Sequence, residues 1–134
     1  MGKKRAGIAA AGITLDTGAL IALDRGDKRM IALLSEALAQ GSVFRVPSGV
    51  VGQAWRDSRM QVTLARFLRS EEVEIVPLDA ELARSCGELC GATKTSDVVD
   101  ASVVILARKG RDPIVSSDPH ELRRLDSGAR IIPI

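Results

Sequence analysis

Short apolar strands alternate with amphipathic helices along the chain, which predicts a three-layer α/β fold on a mostly parallel sheet of about five strands. Two further observations support this. The 134 residues suit one domain with a real core, and 46% of them are apolar, mostly Ala, Val, Ile and Leu. Aspartates stand directly after the first and fourth predicted strands, where sites in such folds lie beyond the strand carboxyl ends.

The elements follow in order. Residues 12–16 read as a short strand ending in the carboxylate of Asp16, and residues 17–23 have helical spacing. Met30, Leu33, Leu34, Ala37 and Leu38 form a helical stripe over 28–40, closed by Gly41. A second strand, 43–46, leads through Pro47 into a helix over 48–57, and another helix covers 60–70. The third strand is 73–76, closed by Pro77, and Asp79 caps a helix over 80–90. Residues 91–96 read as a loop, and the helix over 97–109 stops at Gly110. A fourth strand at 113–116, a short helix at 118–125 and a fifth strand at 130–133 complete the chain.

Composition excludes several functions. Phe44, Trp55 and Phe67 are the only aromatic residues, too few for base-stacking platforms. The net charge of +2 is too small to identify a nucleic-acid partner, although arginines recur through the middle and C-terminal third. Cys86 and Cys90 share one helix face and read as small apolar groups; with His120 the only histidine, a zinc site lacks ligands. This cysteine usage predicts a cytoplasmic protein. Residues 1–11, with a basic start and small apolar residues, read as a flexible tail and not as a targeting segment; residues 12–134 form the domain. No stretch is apolar enough to span a membrane.

Asp97 and Asp100, three apart, lie on one side of a helix's first turn, and Asp118 follows the fourth strand. Each aspartate also has a structural role as a helix cap, and Asp118-Pro-His-Glu121 is close to a capping box. Carboxylates gathered at strand ends repel one another unless a cation neutralises them. Oxygen-only ligands suit Mg²⁺ or Mn²⁺.

The ordered set L-D-T-G-A-L-I-A-L, V-P-S-G-V-V-G-Q-A-W-R, I-V-P-L-D, D-V-V-D-A-S-V-V-I-L-A and I-V-S-S-D-P resembles the PIN domain, and more narrowly VapC-type toxins of toxin–antitoxin pairs. The likeness runs from about Gly12 to Ile134. It implies a PIN-like α/β/α sandwich and a metal-dependent endoribonuclease. Asp16, Asp100 and Asp118 match the family's catalytic acids, Ser116 its usual Ser/Thr, and Asp97 is an additional acid on the same turn. The resemblance implies Mg²⁺ or Mn²⁺ held by Asp16, Asp100 and Asp118, with Asp97 a supporting or alternative ligand. Gln53 stands where the family usually has a glutamate, so one negative charge is missing. Arg56 and Arg111 are candidates to hold the RNA backbone, against a plain surface role for each. Expected partners are an RNA substrate, a VapB-type antitoxin and a second copy in a homodimer. Gln53 also admits another outcome, a weak or inactive module that still binds RNA or an antitoxin. A haloacid-dehalogenase-like phosphatase fits less well, because Asp16-Thr17-Gly18 replaces its D-x-D. A receiver domain lacks its paired acids at the first strand.

Overall fold

A computed structural model describes residues 11–134; the expected tail lies outside the described residues except for Ala11. Five strands, β1 (Gly12–Leu15), β2 (Val43–Pro47), β3 (Val73–Val76), β4 (Ile114–Ser116) and β5 (Ile131–Pro133), form one sheet in the order β3-β2-β1-β4-β5. Every pairing is parallel. Seven helices intervene: α1 (Thr17–Asp24), α2 (Lys28–Ala39), α3 (Ser48–Ala54), α4 (Val62–Leu68), α5 (Ala80–Thr93), α6 (Val98–Gly110) and α7 (Pro119–Leu125).

Strand order follows from handedness. Connections β1 to β2 and β2 to β3 step one way along the sheet, and β3 to β4 and β4 to β5 step the other. Right-handed crossovers therefore send α1–α4 to one face and α5–α7 to the other. Accordingly α1 packs on α2, α3 and α4, while α6 packs on α5 and α7. Both faces are covered, so the strands can be apolar on both sides: Leu15, Phe44, Val46, Ile114 and Val115 are all buried. Phe44 meets Phe67 with ring centroids 5.5 Å apart.

The predicted elements are all present; several boundaries move, three of them for clear physical reasons. The helix expected over 48–57 ends at Ala54. Gln61 is the cause: its Oε1 accepts the N–H groups of Arg56 (2.6 Å) and Asp57 (2.9 Å), and its Nε2 donates to Ala54 O (2.9 Å) and Asp24 (3.2 Å). The same turn delays the next helix from 60 to Val62. The helix expected to stop at 90 runs on to Thr93, because Gly91 is tolerated and Lys94 takes the left-handed cap (φ 57°). Arg111 does the same after α6, which includes Gly110. We expect Gln61→Ala to cost about 1–3 kcal/mol, since two N–H groups and a carbonyl lose their partner at once; urea unfolding measures it, and an unchanged midpoint contradicts this account of the turn.

Candidate functional site

β1 sits at the centre of the sheet, between β2 and β4, where the strand order reverses. A crevice at the strand carboxyl ends opens at such a point. Asp16 follows β1 there, extended (φ −94°, ψ −178°) and 6% exposed. Its Oδ1 accepts the N–H of Ala19 at 2.9 Å, so the expected cap on α1 is real. Burial pushes its pKa up; a hydrogen bond with Ser116 and the Ala19 N–H oppose this, and the charge of Asp118 adds to it.

Asp118 lies two residues beyond β4 and caps α7 through Glu121 N, at 3.4 Å. Ser116, fully buried at the end of β4, accepts the Asp118 N–H at 2.8 Å. Ser116 therefore touches both acids and fixes the chain between them. Gly18 allows the approach, because a Cβ there would collide with Ser117 Oγ.

The remaining acids arrive on α6, which starts at the same edge. Asp97 is the N-cap and accepts the Asp100 N–H at 2.9 Å. Asp100, half-buried, has its pKa pushed up to about 6. Burial is the first cause; the charges of Asp97, Asp16, Glu121 and Asp118 follow in that order. The four predicted acids thus share one electrostatic neighbourhood. Among the described residues none of the four has an ion-pair partner. Glu121 was not anticipated as a member; its position three residues after Asp118 signalled only a capping box. It pairs with Arg124 at 3.6 Å.

Gln53 is on α3, and its Oε1 accepts the Thr17 hydroxyl at 2.6 Å. Thr17 immediately follows Asp16, so Gln53 is tied to the edge of the acid site. Arg56 lies just past α3, with Nη1 donating to the carbonyls of Gly52 (3.0 Å) and Trp55 (2.6 Å). Arg111 does not join the site. It caps the far end of α6, eleven residues from Asp100, about 16 Å away along a helix rising about 1.5 Å per residue. The sequence brought it into question by charge alone, and charge does not report which end of a helix a residue occupies.

Asp16, Asp97, Asp100 and Asp118 are the residues able to offer oxygen ligands to a hard cation. Among the described residues no three or more Asp, Glu, His or Cys stand close enough to form a ready metal cluster. The acids share a field without being drawn together.

Solved structures repeat this architecture. One chain of VapBC2 from Rickettsia felis, bound to a DNA fragment from their promoter, superposes with a TM-score of 0.67 at 18% identity, covering 92% of this chain and 98% of that one. The fold is PIN-like. VapC20 from Mycobacterium tuberculosis, a sarcin–ricin loop cleaving toxin, gives 0.64 at 19% identity over 91% of this chain and 99% of that one. FitAB bound to the IR36 DNA fragment gives 0.65 at 15% identity, over 90% and 94% respectively. No family model matches the chain, and no curated protein matches it. At these identities the likeness is one of fold. Among the described residues no helix is long and apolar enough to cross a membrane.

Proposed function

We propose that this chain is a Mg²⁺- or Mn²⁺-dependent endoribonuclease of the cytoplasm, the toxin of a VapBC-type toxin–antitoxin pair. The observation that carries the reading is Asp100, half-buried and raised to about 6 first by burial and then by the charges of four further carboxylates. Repulsion of this kind is a standing cost that a bound cation removes. An all-oxygen donor set fits a hard cation and does not fit zinc.

Asp16, Asp100 and Asp118 would hold the cation, with Asp97 in support. When bound, it would lower the pKa of a water molecule and offset charge building on the phosphodiester. Ser116 keeps Asp16 and Asp118 in register through its two contacts. A bound cation would hold Asp100 ionised, which makes it a ligand and not the proton acceptor. Arg56 stands two residues beyond the end of α3 and would meet RNA phosphates only by releasing the Gly52 and Trp55 carbonyls. The RNA would be a single strand or loop, since a strand paired in a rigid helix is hard to splay into the site.

An antitoxin partner is supported by the VapBC2 and FitAB assemblies that share the fold. Ile31 and Leu38 on α2, Met60, and Val62 on α4 are exposed apolar side chains suited to an antitoxin or a second copy.

A second reading, an inactive or weak module that binds RNA or an antitoxin, is favoured by one contact. The Gln53 amide has no charge, and its oxygen is occupied by Thr17. Cleavage of a defined RNA pool with and without Mn²⁺ separates the two. We expect wild type to cleave only with Mn²⁺, and Gln53→Glu to cleave about tenfold faster at low Mn²⁺, from the added charge. Metal-dependent cleavage that Gln53→Glu leaves unchanged removes the argument from the missing carboxylate. No cleavage by either protein favours the binding module.

A further inference from the structure

A second concave site lies at the opposite edge of the sheet. It is a cavity of about 320 Å³ between the end of α6, the start of β4 and the segment entering β5. That volume is at the small end of ligand pockets, room for a single small molecule. Val104, Ala107, Ile114 and Ala129 supply an apolar floor. Charged groups make the wall, and their pairing is uneven.

Both wall carboxylates are already satisfied. Asp112 receives Arg45 Nη1 at 2.8 and 2.9 Å and the Thr14 hydroxyl at 2.8 Å. Asp126 receives Arg108 Nε at 3.0 Å and the Gly128 N–H at 2.9 Å. Arg111 and Arg130 remain, and neither has a carboxylate partner among the described residues. Arg130 is not loose: its Nη2 donates to the Arg111 carbonyl at 2.5 Å, which holds the guanidinium and leaves its other donors. Arg111 is itself set by a left-handed backbone (φ 57°), a conformation uncommon for a side chain of this size. Two guanidinium groups of uncancelled charge thus border an apolar floor.

We propose that this cavity binds a nucleoside monophosphate, with the phosphate between Arg111 and Arg130 and the nucleoside over the apolar floor. Two arginines match the charge and forked geometry of a phosphomonoester. The floor favours an organic body over inorganic phosphate. No aromatic side chain lines the cavity, so the base is held by area and not read by stacking. A free nucleotide and the 5′-phosphorylated end of an RNA offer the same chemistry. The inference does not rest on the nuclease reading, because the cavity and the acids are at opposite ends of α6.

The test is calorimetric titration in EDTA, so that no metal-dependent reaction intervenes, with AMP, inorganic phosphate, adenosine and a short RNA bearing 5′-phosphate or 5′-hydroxyl. AMP should saturate at one site, phosphate should bind about tenfold more weakly, and adenosine should not bind. Arg111→Gln and Arg130→Gln should each weaken AMP about tenfold or more, and Asp100→Asn should leave it unchanged. Equal binding of AMP and the 5′-phosphorylated RNA assigns the site to RNA ends; binding of AMP alone assigns it to free nucleotide. No saturable binding of AMP at millimolar concentration overturns the proposal, as does AMP binding that Arg111→Gln leaves intact. Arg111→Gln decides even if Arg130→Gln unfolds, because the Arg111 side chain makes no hydrogen bond or ion pair among the described residues.

Discussion

Asp100→Asn should abolish RNA cleavage, by at least about a hundredfold, and at the same time make the metal-free protein more stable at pH 7. The second half follows from linkage. The folded protein holds the Asp100 carboxyl at about 6, above its ordinary 3.8. Between those values the folded state binds more protons than the unfolded state, so stability falls as pH rises through this window. Above about pH 6 the folded chain carries the full cost of an ionised Asp100 that is half-buried and stands among Asp97, Asp16, Glu121 and Asp118. Asparagine carries none of it. Asp16, also raised, acts in the same direction, so the variant should retain a shallower decline. Thermal melts in EDTA from pH 4 to 8 measure both curves, and Mn²⁺ should raise the wild-type midpoint far more than that of the variant. A variant that cleaves at the wild-type rate ends the proposed mechanism. One that is no more stable at pH 7 ends the electrostatic account.

Asp112→Ala should produce the largest loss of stability, about 3 kcal/mol. Its carboxylate is 1% exposed and joins three elements: Arg45 on β2, Thr14 on β1 and the start of β4. Alanine leaves a half-buried guanidinium and a buried hydroxyl without their acceptor. Arg45 is 21% exposed and keeps Glu74 at 3.5 Å, which holds the loss at the lower end for a broken buried pair. The double variant Arg45→Met with Asp112→Leu should recover most of the stability, because a buried pair replaced by apolar groups is often neutral. Urea unfolding of both variants checks this, and a double variant as unstable as Asp112→Ala contradicts it.

Much of this fold is legible because its signals are local. Period-two and helical patterns, Gly41 with its positive φ (79°) and the caps at Asp16, Asp79, Asp97 and Asp118 all act within a few residues. Gln61 was not legible: a side chain that closes one helix and begins the next works through contacts back to Ala54 and Asp24. The site divides in the same way. Asp16, Asp100 and Asp118 are marked by their positions after strands or at a helix start, which in a parallel sheet share one edge. Arg111 carried no such positional mark, and the structure sets it at the other edge. Glu121 was visible only as part of a cap, because its reach to Asp100 depends on α6 and α7 packing together.

The central position of β1 gives the acids unequal freedom. Asp16 is mounted on a strand paired on both sides, and its own N–H is bonded to Val115 O at 3.3 Å. Such a segment exchanges its amide hydrogens only when the whole domain opens. Asp97 and Asp118 sit on exposed helix starts with each carboxylate held by one cap bond, so that, with the Asp118 backbone tied to Ser116, it is their side chains that turn at little cost. The acid edge is therefore one anchored carboxylate faced by adjustable ones, so the cation we propose would gather its outer ligands toward Asp16 without disturbing the sheet.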